Sequence, residues 1–195
     1  MGHTSARLQP VNEEATMLVL VVGPSGAGKD TLLNIARRQL ATDRRFRFVR
    51  RVITRPPDPG GEDHEAVSEA AFAHRAFALS WQAHGLHYGI PADVIDDLRR
   101  NIVVVANVSR GVIADAAQHF PTRVIEVTAP PDLLARRLAE RGRETAEDVA
   151  KRLARDVPIP DHVPVDTIMN DATPAEGADR FIAALIRAAS RAPPR

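Results

Sequence analysis

Met17-Leu18-Val19-Leu20-Val21-Val22-Gly23-Pro24-Ser25-Gly26-Ala27-Gly28-Lys29-Asp30-Thr31 is the stretch whose reading decides the fold. Its first six residues form an unbroken apolar run, which suits a strand buried on both faces of a parallel sheet. Gly23-Pro24 ends the run. From Lys29 onward Leu32, Leu33, Ala36 and Leu40 recur at helical spacing, so a helix is expected to follow at once. Between strand and helix lies Gly-x-x-x-x-Gly-Lys. Its glycines let the chain curl so that backbone N–H groups from Gly23 to Thr31 point at phosphate oxygens. The helix start adds partial positive charge. Lys29 can reach the outer phosphates of a nucleoside triphosphate. A glycine-rich turn with no ligand is the bland alternative, and the strand before it and helix after it argue against that.

The position after the lysine departs from the usual phosphate-loop pattern. A hydroxyl residue normally stands there; here it is Asp30, with Thr31 next. A carboxylate is a hard oxygen ligand and could hold Mg²⁺ directly or through water. It could equally cap the helix start, and the residues leave both roles open. Composition agrees with a small-molecule site. The chain has 195 residues and a formal net charge of +1, far from the basic excess of a nucleic-acid binder. Arginine supplies nearly all the positive charge, since Lys29 and Lys151 are the only lysines. Its planar fork suits phosphate oxygens. With no cysteine, disulfides and thiolate metal sites are excluded. No apolar run approaches the roughly 20 residues of a membrane span, and no secretory signal is evident, so a cytoplasmic protein without a membrane partner is expected. Oligomeric state is not legible.

Outward from the loop, residues 1–16 read as a frayed tail and 17–190 as one α/β domain. Phe48–Ile53 is a strand candidate, and 55–65 is a loop rich in proline and glycine. Ser68–Phe77 suggests a short helix, Leu79–Tyr88 a strand pair, and Pro91–Arg100 a helix. Ile102–Ala106 and Arg123–Val127 are buried strand candidates. A helix is expected over Pro131–Arg141, another opening with Thr145 and Asp148, and a short strand over Asp166–Met169. Thr173-Pro174-Ala175-Glu176 has the form of a capping box opening a last helix with Phe181, Ile182, Leu185 and Ile186 on one face. Alternating strands and helices imply a parallel sheet covered on both sides.

The segments GPSGAGKD, ITR with GGEDH, LSWQAHGLHYGI, VVVANVSRG, RLAERGRE and IMND resemble the guanylate-kinase-like branch of P-loop kinases, from about Met17 to Ile186. The resemblance implies an α/β kinase with a core sheet, an acceptor-binding region over about 54–90 and a lid over about 137–155. It also implies that Arg55 and Tyr88 hold an acceptor phosphate, that Arg137, Arg141, Arg143 and Arg152 belong to the lid, and that Asn170-Asp171 lies near the nucleotide base. The pattern departs from true guanylate kinases where guanine is read. A Glu beside an aromatic residue becomes Ser80-Trp81, an Asp-x-Asp becomes Asn107-Val108-Ser109, and a second phosphate-binding Arg falls on Asp58. Losing those acids leaves guanine's N–H donors without strong acceptors. The same segments are similar to the ribose 1,5-bisphosphate phosphokinase family. The shared features are Lys29-Asp30, the run from Arg55 to His64, Leu79 to Gly89 and Asn107 to Arg110. That likeness implies ATP and Mg²⁺ as cofactors and a phosphorylated sugar as acceptor, with Ser80, Asn107, Ser109 and Arg110 among the residues that meet it. A guanylate kinase, another small-anion kinase, or a module that no longer catalyses are the alternatives.

An acceptor that is itself a phosphate is already ionised at neutral pH. Catalysis then needs positioning and charge neutralisation rather than a strong base. Lys29 and the lid arginines Arg141, Arg143 and Arg152 suit that demand, although Arg152 could instead pair with Asp156. Arg137 and Arg141 are i,i+4, so both could face one cleft. Glu62 and His64 could bond sugar hydroxyls or serve only their loop. His84 and His87 lack a third metal ligand, and His87 is expected to line the acceptor pocket at most. Trp81 is expected to fill core.

Overall fold

The computed structural model describes residues 16–56, 62–140 and 157–190. The chain runs β1 (Leu18–Val22), α1 (Lys29–Gln39), β2 (Phe46–Phe48), β3 (Val52–Ile53), β4 (Glu65–Ala66), α2 (Glu69–Ala73), β5 (Phe77–Ala83) and β6 (Leu86–Pro91). It continues through α3 (Val94–Arg99), β7 (Val103–Asn107), a 3₁₀ turn (Arg110–Val112), α4 (Ile113–His119), β8 (Thr122–Thr128), α5 (Pro131–Glu140), β9 (Val165–Met169) and α6 (Pro174–Ser190).

A five-stranded parallel sheet in the order β2-β7-β1-β8-β9 forms the centre. β1 is central, and all five of its residues are buried, as its unbroken apolar run requires. Its side chains alternate between two cores. Leu18, Leu20 and Val22 pack with residues of α3, α4 and the β5–β6 hairpin. Val19 and Val21 pack with α1, α5 and α6 through Leu32, Leu134, Phe181 and Leu185. The last helix starts on its capping box: the Thr173 backbone N–H donates to the Glu176 carboxylate at 3.0 Å, and the Glu176 N–H donates to Thr173 Oγ1 at 3.3 Å. Of the four residues expected on its buried face, Ile186 is 39% exposed and belongs to the surface.

Several boundaries move, for reasons that lie in pairing. The segment read as one strand over Phe48–Ile53 is two. The chain leaves β7 after Val49, whose N–H donates to Val105 O at 2.9 Å, and Val52–Ile53 pairs antiparallel with β6 in a separate sheet of order β4-β3-β6-β5. The helix expected over Ser68–Phe77 is α2 alone, with Ser68 as its cap and Phe77 already in β5. α4, which the apolar pattern does not announce, contributes buried Ile113 and Ala116. Thr16, expected in the tail, is buried and bonds to Leu98 O and Asn101 Oδ1. The rest of the tail, Asp58, the helix at Thr145 and Asp148, and Arg141, Arg143 and Arg152 lie outside the described residues.

Candidate active site

Parallel strands bring their carboxyl ends to one edge of the sheet, and open α/β sheets bind ligands in the crevice outside that edge. Here the edge collects Gly23 after β1, Asn107 ending β7, Val127 near the end of β8, and Asn170 after β9. The phosphate loop is built against them. Gly23 has φ +144°, and a Cβ there would stand 2.0 Å from the Val127 carbonyl oxygen. Gly28 has φ +87° and caps α1, and a Cβ there would stand 2.5 Å from Asn170 Nδ2. Both positions demand glycine on conformation and on space. Asn170 is buried and donates from Nδ2 to Ala27 O at 2.7 Å. Arg137 reaches the same region from α5, its Nη1 donating to Asn170 O at 3.1 Å and Gly26 O at 3.4 Å. Two residues expected to meet the nucleotide thus also bond to the loop's own backbone.

Lys29 folds across the loop, and its ammonium donates to Gly23 O at 2.7 Å and Pro24 O at 3.0 Å. Burial lowers its pKa from 10.5 to about 8; Asp30 and Glu62 pull it up, while Arg51 and Arg110 push it down. Asp30 makes no cap: Gly28 is the N-cap of α1 and no side-chain capping bond is made, while Asp30 Oδ1 accepts from Asn107 Nδ2 at 3.2 Å. Thr31 is exposed, as is Ser109. Arg110, beyond β7, pairs with Glu126 of β8. A cleft opens beside α1, lined by Asp30, Asn34, Arg37, Glu62, Asp63 and Asn107 among others. Among the described residues no group of three or more His, Cys, Asp or Glu is arranged to hold a metal ion. Asp30 is the one carboxylate expected to do so, and a Mg²⁺ bound with nucleotide phosphates needs only one or two protein carboxylates.

The four-stranded sheet carries several of the residues expected on the acceptor side. Strand alternation sends neighbours to opposite faces, and this divides residues expected to share one pocket. Tyr88 pairs with Trp81 across the hairpin, their rings 5.3 Å apart and 8° from parallel. His87 and Ser80 belong to the opposite face. The His87 ring lies against Phe72, 5.4 Å between centroids, and Ser80 pairs with Gly89, which Phe77 covers. Ser80, His87 and Tyr88 therefore do not line one surface. His64 is buried with Nδ1 2.9 Å from Glu62 O and Nε2 3.1 Å from Arg55 O, so it ties the two ends of the 55–62 loop together. Arg55 Nε is buried and has no hydrogen-bond partner among the described residues.

Sequence reasoning missed Arg51. Its guanidinium meets Glu62 through two nitrogens, with Nε 2.7 Å from Oε1 and Nη2 on Oε2. It lies 5.3 Å from the Tyr88 ring and 5.9 Å from the Trp81 ring. Trp81, expected as core filler, is half-buried and packs against the core as well as in this cluster. The available signal was the run Arg50-Arg51 four residues before Arg55, but Arg51's partners are far away in sequence.

Comparison with known proteins adds the family. The chain is 54% identical over 173 residues to the ribose 1,5-bisphosphate phosphokinase PhnN of Acidiphilium cryptum, covering 87% of this chain and 92% of that protein. The chain belongs to the ribose 1,5-bisphosphate phosphokinase family. It is also 52% identical over 171 residues to the bifunctional ribose 1,5-bisphosphokinase-thymidine phosphorylase of Cupriavidus necator, covering 85% of this chain and 28% of that longer protein. Among solved structures, guanylate kinase from Anaplasma phagocytophilum superposes with a TM-score of 0.63 at 17% identity, covering 89% of this chain and 87% of the other. At that identity the likeness concerns the fold, and it agrees with the guanylate-kinase-like P-loop architecture read from the sequence. No family model matches the chain. No helix among the described residues is long and apolar enough to cross a membrane.

Proposed function

We propose that this kinase transfers the γ-phosphoryl group of ATP to the 1-phosphate of ribose 1,5-bisphosphate, giving 5-phospho-α-D-ribose 1-diphosphate and ADP. The observation that carries this reading is the 54% identity to a ribose 1,5-bisphosphate phosphokinase across 92% of that protein. In the reaction an oxygen of the acceptor's 1-phosphate forms a bond to the γ-phosphorus. The bond from that phosphorus to the β–γ bridging oxygen breaks, and ADP leaves with the electron pair. No proton need be removed, so the protein's task is to bring two anions together.

The residues support that division of labour. Backbone N–H groups of the loop from Gly23 to Thr31 receive the nucleotide phosphates, and Lys29 turns from Gly23 and Pro24 to the transferring group. Asp30, oriented by Asn107, is the carboxylate suited to Mg²⁺, directly or through water. Bound there, the metal would neutralise charge on the outer phosphates. Arg55 and Tyr88 are the acceptor-side anchors. Arg110, Asn107 and Ser109 stand at the edge of the same crevice, and Arg141, Arg143 and Arg152 are the cations proposed to close over it. Asn170 and Arg137 serve by holding the loop's shape, while His64 holds the acceptor loop. Ser80 and His87 are left outside the pocket.

The test is to incubate the protein with ATP and Mg²⁺ against ribose 1,5-bisphosphate and GMP in turn, and to identify the products by mass. Conversion of the bisphosphate to the diphosphate sugar is expected. Preference for GMP would reject the acceptor assignment, and ATP turnover with neither would reject both acceptors.

A further inference from the structure

Arg51 stands just before β3 and Arg55 just after it, so the strand carries a guanidinium at each end. An acceptor with two anionic groups needs two cationic anchors besides the lysine facing the nucleotide. Only Arg55 lies in the quoted sequence pattern, yet Arg51 is the better organised of the two. Its side chain is 12% exposed and that of Glu62 19%. Two of its nitrogens are fixed by Glu62, and its plane is held near the Trp81 and Tyr88 rings. Its third nitrogen, Nη1, makes no hydrogen bond among the described residues.

We propose that Arg51 is an acceptor-binding residue, taking a phosphate oxygen of the acceptor through Nη1, and that Glu62 is its positioning residue. This rests on the phosphotransfer reading above. The competing account is a clasp that merely closes the 55–62 loop onto β3. An enclosed ion pair is weak evidence for stability, because desolvation offsets much of its attraction. A clasp also requires neither an aromatic platform nor a nitrogen left over. A guanidinium with its plane fixed and one edge spare is arranged to meet an anion at little entropic cost. The pairing also gives Glu62 a task other than sugar binding, since both its oxygens already accept from Arg51.

The experiment compares wild type, Arg51→Met and Glu62→Gln. Each substrate is varied in turn, and binding of ribose 1,5-bisphosphate is measured by calorimetry. Arg51→Met is expected to weaken acceptor binding about 10- to 100-fold, the range for a charge-assisted contact, with the ATP constant within about twofold. Glu62→Gln loosens the same clasp but keeps the cation, so its acceptor loss is expected to be several-fold smaller. Equal losses in the two variants, or an unchanged acceptor constant in folded Arg51→Met, would overturn the proposal in favour of the clasp. If Arg51→Met does not fold, Arg51→Lys replaces it: an acceptor-only loss is expected there too, and an unchanged acceptor constant overturns the proposal. Wild-type protein that does not phosphorylate the bisphosphate at all marks failure of the functional reading instead. Repeating the binding with ribose 1-phosphate identifies the end of the acceptor that Arg51 meets: an Arg51→Met loss that vanishes with this ligand assigns it to the 5-phosphate, and a loss that persists assigns it to the 1-phosphate.

Discussion

Asn170 donates its side-chain Nδ2 to the carbonyl of Ala27 at 2.7 Å, joining the end of β9 to the phosphate loop across 143 positions of chain. The contact is enclosed on both sides. A Cβ at Gly28 would lie 2.5 Å from Asn170 Nδ2, and one at Gly177 would lie 2.4 Å from its Oδ1. The loop's shape thus depends on an amide supplied by a distant strand.

Asn170→Ala should therefore destabilise the protein and weaken ATP more than the acceptor. It leaves the buried Ala27 carbonyl without its donor, a loss of about 1–3 kcal/mol. Asn170→Asp should be worse, because a carboxylate oxygen then faces a carbonyl oxygen. Thermal melting and the two Michaelis constants report this. A melting point equal to wild type for Asn170→Ala would show that the contact is incidental.

Lys29 carries a pH signature. Its pKa in the free protein is about 8 against 10.5 ordinarily, so between those values the unfolded chain holds more protons than the folded one. Stability of the free protein should therefore rise as pH climbs from about 8 towards 10.5; below about 8 both states are charged and the burial cost stands in full. Nucleotide phosphates favour the ammonium and raise its pKa again. ATP binding at pH 8 should then take up about half a proton. Calorimetry in two buffers of different ionisation enthalpy measures it, with Lys29→Met as the variant that should show none. Lys29→Met or Lys29→Ala should also nearly abolish transfer in a folded protein.

The Asp30–Asn107 pair yields a metal prediction. Asp30→Asn keeps the shape and removes the charge, so the Mg²⁺ concentration for half-maximal rate should rise while nucleotide binding without metal changes little. Asn107→Ala leaves the carboxylate in place but unaligned, and a loss of about tenfold in metal affinity is expected, as for other residues that orient a ligand. An unchanged Mg²⁺ titration in both variants would remove Asp30 from the metal site.

What was legible in the sequence is what depends on neighbours along the chain. β1, the phosphate loop and α1 follow from an apolar run, fixed glycines and a helical stripe, and the start of α6 follows from Thr173 and Glu176. What was not legible depends on partners far away. Phe48 and Val52 look like one strand until β7 takes the first and β6 the second. Arg51 is one arginine among many until Glu62, Trp81 and Tyr88 are seen around it. Asn170 and Arg137 are expected near the nucleotide because they sit in motifs near the loop; that both also bond to the loop's own backbone depends on partners far away in sequence. The separation of His87 from Tyr88 was available in principle, since adjacent strand residues face opposite ways. α4 was missed because its only buried side chains are Ile113 and Ala116, too few to mark a period.

Arg55 gives the sharpest test of the acceptor side. Its Nε is buried without a partner among the described residues, its carbonyl is held by His64, and Thr54 before it accepts from the His87 backbone N–H at 2.9 Å. The backbone that carries Arg55 is thus fixed from two directions while the buried donor has no acceptor of its own, a costly state that an anion would relieve. Arg55→Ala should raise the acceptor constant about tenfold to a hundredfold, the range for one charge-assisted contact, and leave the ATP constant near wild type. GMP should remain a poor acceptor in both proteins, because Asn107 and Ser109 offer its N–H donors no carboxylate. Steady-state kinetics with each substrate varied separate the outcomes. A rise in the ATP constant alone would move Arg55 to the nucleotide side. Efficient use of GMP by wild type would reject the sugar acceptor while leaving the phosphate loop and its lysine in place.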